Sequence, residues 1–290
     1  MRKNDWRFIQ SLLFIVVSAL LLLSCSLTNN DDKEPLTASR DAAECIASSV
    51  GLNTGGALDQ ISDVATMCAP NGLKELENKY GKTYFVMTKS YDENTGIWSI
   101  HIERERGVTG YIPYAHFTRD YRVRFLNVLN QPQHYYIVDP DTARTVEFHI
   151  IRGTGRHQTR RISQQLDSLS ASFTITNAHQ ANVTVNGTYY RAARDTIRGY
   201  NRTRISQNVL QLAFHDVVVP RNTGNNFCHG ISGNVTGSFD ADITFISGTA
   251  YAENHIHRDI SIDFGSGKGN ISFLTGKIYK ADLYTGEVLD

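Results

Sequence analysis

The chain has 290 residues, with 29 basic and 29 acidic side chains that cancel. That balance lacks the strongly basic footprint of a nucleic-acid-binding domain, so nucleic acid is not an expected partner. The length is enough for one large or two small domains with a real hydrophobic core.

The chain opens with Arg2, Lys3 and Arg7 against a single Asp5, followed by an almost wholly apolar run from Phe8 to Leu23. A charged start and a short apolar stretch are the parts of a secretory signal, here residues 1–24. The run is shorter than the roughly 20 residues of a bilayer-spanning helix. It ends in Leu22-Leu23-Ser24-Cys25, directly before polar Ser26, Thr28, Asn29 and Asn30. This segment resembles the lipobox of bacterial lipoproteins. The resemblance implies that Cys25 takes a diacylglyceryl group, that the signal is cut before it, and that the new amine is acylated too. A second acyl chain turns marginal membrane binding into stable anchoring. Ser26 after the Cys matches the lipoprotein sorting pattern for the outer membrane, with the periplasmic and surface faces both open. Residues 25–37, with Asp31, Asp32, Lys33, Glu34 and Pro35, read as a disordered tether. Without residues 1–24 the chain keeps 26 basic and 28 acidic side chains, so it stays near neutral.

Over 38–78 the apolar positions Ala42, Ala43, Cys45, Ile46 and Val50, then Leu58, Ile61, Val64, Ala65 and Cys68, recur at the helical period. Gly51, Gly55 and Gly56 break the run, which predicts a helical hairpin. Cys45 and Cys68 flank its two segments and form the expected disulfide, worth about 3 kcal/mol by loop entropy. Cys228 is left over.

From residue 79 to 290 the period becomes two. Trp98, Ile100 and Ile102, Tyr121, Val123 and Phe125, and Val146, Phe148 and Ile150 each alternate with polar neighbours. Similar strands follow to Tyr284, and Asn186-Gly187 is a favoured hairpin dipeptide. With no long helix between strands, the expectation is mainly β. It is an antiparallel meander, whether curved open sheet, half-barrel or sandwich, preceded by the short helical hairpin. The tail through Arg258, Ile260-Ser261-Ile262-Asp263-Phe264-Gly265 and Asp282-Leu283-Tyr284-Thr285-Gly286 resembles the C-terminal repeats of β-rich secreted bacterial lipoproteins. That resemblance implies a fold and no activity.

Two segments carry candidate chemistry. On a strand, Glu253, His255, His257 and Asp259 share one face, and the two imidazoles stand about 7 Å apart, within reach of one zinc ion. A third ligand would have to come from a neighbouring strand, with His215, Asp216 and His229 as candidates. Arg152-Gly153-Thr154-Gly155-Arg156, backed by Arg160 and Arg161, could form an anion-binding nest in a basic loop. No Gly-x-Ser-x-Gly, His-Glu-x-x-His or Cys-x-x-Cys is present. The leading expectation is a non-enzymatic envelope lipoprotein, held to the membrane by its N-terminal lipid, that binds or carries an apolar ligand or an envelope partner. A metal-binding protein or metal-dependent enzyme, and a purely structural envelope component, are the alternatives. In a bacterial host, Cys25→Ser is expected to move the protein from the membrane to the soluble fraction and abolish acyl labelling. A mutant that stays membrane-bound removes the lipoprotein reading.

Overall fold

A computed structural model describes residues 36–80, 84–199, 202–222, 224, 226–274 and 276–289. The signal, Cys25 and most of the tether lie outside these residues. The chain divides into two units, 1–41 and 42–290. Helix α1 (Leu36–Val50) crosses the division and already begins within the expected tether; α2 (Ala57–Met67) and α3 (Gly72–Tyr80) follow it. The hairpin expected over 38–78 is therefore three helices. In α3 the apolar signal is only Leu73 and Leu76 among charged neighbours, too sparse to register as a separate period.

The rest of the second unit is one open antiparallel sheet of twelve strands. Along it run β1 (Phe85–Asp92), β2 (Ile97–Arg106), β3 (Tyr114–Leu126), β7 (Thr145–Gln158), β8 (Ile162–Thr176), β9 (Asn182–Gly199) and β10 (Arg202–Pro220). It continues through β11 (Ser232–Ser247), β12 (Ala250–Gly265), β13 (Lys268–Phe273) and β14 (Ile278–Asp282), with β4 (Pro132–Gln133) beside β3. Two short strands, β5 (Ile137–Val138) and β6 (Asp141–Thr142), pair apart from it. Each long strand buries alternate residues: Phe117, Tyr121, Val123 and Phe125 on β3, or Leu210, Leu212 and Phe214 on β10. These residues form one core with the buried residues of α1 and α2.

The sheet must coil strongly. In the turn between α1 and α2, Leu52 N–H donates to Leu283 O at 2.8 Å and Asn53 N–H to Tyr284 O at 3.0 Å, just past β14. The same turn takes a hydrogen bond from Arg106 of β2 to Leu52 O at 3.1 Å. In a flat sheet β2 and β14 would stand roughly 40 Å apart. Instead both reach one short loop.

Asn186-Gly187 makes no hairpin. Both lie inside β9, facing a bulge in β10 between Phe214 and Val217. Asp216 sits in the bulge with φ 49°, and the Asn186 side chain bonds both its N–H, at 2.8 Å, and its carboxylate, at 2.9 Å. A side chain at Gly187 would meet Ser172 O at 2.0 Å, so the glycine serves close strand approach rather than a turn.

Gly55 is the tightest point of the helix–sheet contact. It has φ +72°, and a Cβ there would fall 2.3 Å from the Phe117 ring. Gly55→Ala combines a left-handed backbone penalty with a clash and is expected to cost more than about 2 kcal/mol. Denaturant titration checks this, and an unchanged midpoint would contradict the packing described.

Candidate functional site

The inward face of the sheet is mostly apolar but carries one large group of polar residues. Arg104, Arg119, His157, Gln164, Arg191, Asp195, Arg204, Ser206 and Asn208 are all buried there. Strand register explains their grouping. Arg106, Ala115, His157, Gln164, Asp195 and Ser206 are successive cross-strand partners on β2, β3, β7, β8, β9 and β10. A second row joins Arg119, Gly153, Leu169 and Arg191. Helix α2 lies against these rows with every residue buried, so its Asp59 and Asp63 have no access to water.

Burial of ionised groups requires partners, and half of this network has them. Arg104 donates to both Asp63 oxygens at 3.2 and 3.0 Å and also to Asp59. Arg106 donates to Asp59 at 2.8 Å, and the Tyr121 hydroxyl to Asp63 at 2.9 Å. Lys79 of α3 reaches Ser62 Oγ at 2.6 Å and Asp63 at 3.4 Å. Burial, with Arg106 alongside, pushes Arg104 down to about 9, still far enough above neutral pH to leave it charged. Burial lowers Lys79 and raises Tyr121 for the same reason.

Among the described residues Arg119 and Arg191 form no ion pair within 4.0 Å, although Asp63 acts on Arg119 and Asp195 on Arg191 through space. Arg119 donates to the backbone oxygens of Thr118 at 2.8 Å, Thr154 at 2.6 Å and Gly55 at 3.3 Å, and lies 5.0 Å from the Phe117 ring centre. Arg191 is 1 % exposed, and its Nε and Nη1 have no hydrogen-bond partner among the described residues. Asp195, four residues along β9, accepts from Asn208 Nδ2 at 2.8 Å through Oδ2, while its buried Oδ1 has no hydrogen-bond partner among the described residues; Arg191, Gln164 and Cys45 also act on it. Burial raises its carboxyl above the usual range. His157 is 8 % exposed, and its Nδ1 has no partner among the described residues. It lines a cavity of about 370 Å³ with Asn53, Arg106, Tyr114, Thr159 and Glu287.

The residues singled out from sequence lie elsewhere. His255 and His257 are exposed on β12, each turned to an aspartate of β11: His255 Nδ1 to Asp242 at 2.8 Å, His257 Nδ1 to Asp240 at 2.6 Å. Asp259 stands 3.8 Å from His257 Nε2, and Glu253 accepts from the Tyr251 hydroxyl. His215 pairs with Asn234, six residues along β11 from Asp240, a displacement of about 20 Å. His229 packs over Gly267, beyond the far end of β12, and Asp216 is held in its bulge. None of the three joins the histidine pair. Among the described residues no group of three or more His, Cys, Asp or Glu side chains is placed to hold a metal ion.

The arginine nest is corrected too. Arg152 to Arg156 belong to β7, whose backbone is committed to β3 and β8, so no nest of free amides forms. Arg152 is exposed opposite Asp120; Arg156 covers the Tyr114 ring at 4.9 Å; Arg161 pairs with Glu44 at 2.6 Å; Arg160 is exposed in the turn. The glycines between them serve packing: a Cβ at Gly153 would sit 3.0 Å from Arg119 Cδ, and one at Gly155 2.6 Å from the Phe117 ring.

Among the described residues no disulfide joins Cys45 to Cys68; both are buried, as is Cys228. The two helices present them to different strands. Cys45 lies against Asp195 of β9, whereas Cys68 faces Arg221, which follows β10 and bonds Tyr136 at 2.6 Å. Burial pushes the Cys68 and Cys228 thiols up to about 12, which disfavours the reactive thiolate.

Burial, reinforced by Arg191 and Arg106, holds His157 down to about 4. Between that value and 6.5 the unfolded chain binds a proton that the folded chain refuses. This contribution to stability is therefore complete above pH 6.5 and is lost as pH falls through 4. Asp195, raised by burial, acts with the opposite sign. Urea midpoints measured between pH 7.5 and 4.5 should fall, and fall less steeply in His157→Gln. Equal slopes would exclude His157 as the cause.

No known family model matches the sequence, and no curated protein or solved structure is detectably similar to it.

Proposed function

We propose that the protein is a lipid-anchored envelope protein whose β domain binds an envelope partner on its outer surface, without enzymatic activity and without an apolar cargo inside the sheet. The anchor rests on the lipobox-like run ending at Cys25 and on the polar tether after it. One observation favours a partner over a carried ligand. The inward face of the sheet, where an apolar ligand would lie, is packed against the protein's own α1 and α2 and carries buried arginines and aspartates. A hydrocarbon chain there would have to displace a helix and strip the Arg104–Asp59–Asp63 pairs of each other.

The outer surface offers contacts of another kind. The segment between β3 and β7 exposes Val128, Leu129, Tyr135, Ile137 and Val138. Beside it Tyr91, His134 and Tyr135 stack with ring centres 4.0 and 4.2 Å apart, and the Trp98 indole N–H donates to His134 O at 2.6 Å. Rigid aromatic groups beside exposed aliphatics are the composition of protein-binding patches.

Native mass spectrometry of the full chain, extracted from membranes in mild detergent, separates the two versions. The expected mass is that of the acylated polypeptide without a bound lipid. A stoichiometric apolar adduct that survives detergent exchange would overturn this reading in favour of a carrier.

A further inference from the structure

We infer that one rim of the sheet is a membrane-docking surface for anionic, phosphate-bearing lipid headgroups. From Tyr114 on β3 to Glu253 on β12, successive cross-strand partners form one continuous row. The turns β2–β3, β7–β8, β9–β10 and β11–β12 all begin within four residues of that row, so they share one rim. Its middle is basic. Arg160 and Arg161 lie in the β7–β8 turn, Arg198 and Arg202 flank the β9–β10 turn, and Arg156 and Arg194 follow two residues inward on the outer face, all six exposed. Glu44, bonded to Arg161, is the one acid ion-paired with them among the described residues. The flanks of the rim are apolar and aromatic. Val108, Tyr111 and Ile112 project from the β2–β3 turn, with Tyr111 74 % exposed, and Ile246 and Tyr251 stand beside the β11–β12 turn. The acids on these flanks are Glu105, which accepts from the Tyr114 and Thr109 hydroxyls, Glu253, which accepts from Tyr251, and exposed Glu287.

Guanidiniums bind phosphate by paired, charge-assisted hydrogen bonds, tyrosine rings favour the headgroup level, and exposed aliphatics reach the acyl boundary. All three meet on this rim. The route of the chain points the same way, a step that rests on the lipid-anchored reading above. Within the second unit α1 descends from the rim: Glu44 meets Arg161, Cys45 lies against Asp195, and Ser49 O accepts from the Tyr189 hydroxyl, six residues further down β9. Residue 42 therefore enters beside the arginines, and Cys25 precedes it by 17 residues. A lipid on Cys25 brings this rim, not the opposite one, to the bilayer. Val128, Leu129 and Ile137 of the partner patch follow the other end of β3, roughly 40 Å away. Docked by its basic rim, the domain presents that patch away from the lipid.

The test uses the full chain, extracted in mild detergent and returned to vesicles whose headgroups carry a nitroxide quencher. A fluorophore is attached at Thr109→Cys in the β2–β3 turn or at Gln180→Cys in the β8–β9 turn on the far rim. In phosphatidylcholine with about 30 % phosphatidylglycerol, quenching at position 109 should exceed that at 180 by about threefold. The excess should fall by roughly half or more in phosphatidylcholine alone, and likewise in about 1 M salt, where charges are screened within ~3 Å. Combining Arg160→Gln, Arg198→Gln and Arg202→Gln should remove the same share, and the salt measurement reads that contact with the arginines intact. Equal quenching at both positions in a protein that floats with the vesicles would overturn the docking, leave the anchor standing and give the rim to an acidic protein partner. Stronger quenching at 180 would overturn it as well. So would an excess indifferent to salt, lipid charge and the three arginines. A protein that floats only with phosphatidylglycerol, and is quenched at 109, would keep the docking and remove the lipid anchor.

Discussion

The ion pairs between α2 and β2 are the constraint on which the rest of the domain depends. A helix buried on every side can be accommodated only if each polar group it carries meets a complement. Asp59 and Asp63 lie one helical turn apart, and Arg104 spans both. This fixes the rotation of α2 about its axis and its height along the sheet. An apolar helix could slide or turn by one ridge at modest cost; one pinned by a shared guanidinium cannot. Gly55 sets the depth at which α2 begins, because only a residue without a side chain lets Phe117 come so close.

From that placement the polarity of the interior follows. Strands on either side of the helix must turn something toward it. Where α2 presents acids they turn Arg104, Arg106 and Tyr121, and where α1 comes nearest they turn Asp195, against which Cys45 lies. The outer face handles charge differently. There, His101 with Asp120, His116 with Glu103, Arg124 with Glu147 and the two β12 histidines pair across neighbouring strands in contact with water. Such exposed pairs contribute little to stability. The interior pairs are of another order, since removing one partner of a buried pair costs about 3–5 kcal/mol.

The sequence carried the class of fold plainly, because alternation such as Trp98, Ile100 and Ile102 has a strict period and a meander needs only consecutive strands. It did not carry the continuity of β11, since Asp240 in its middle looks like a turn residue and is in fact the partner of His257. The interior polar group was encoded but went unread. Arg104 follows Ile100 and Ile102 on the buried parity, Arg119 sits between Phe117 and Tyr121, and Arg191 and Asp195 fall in step with Tyr189, Ala193 and Ile197. A charged residue in phase with a core is the signal. Proximity in sequence drew attention instead to the β12 histidines and the β7 arginines, which are solvent-facing or dispersed. Which inward charges meet depends on register over six strands, and no local spacing contains that.

The contact between the α1–α2 turn and the turn after β14 has a temporal meaning. Leu52 and Asn53 find their backbone acceptors more than two hundred residues later, at Leu283 and Tyr284. Helices made early in synthesis therefore have no finished surroundings until the last strand is in place, and the chain's longest-range contacts close its fold. That last closure is costly in chain entropy, because distant segments must meet before their burial rewards them.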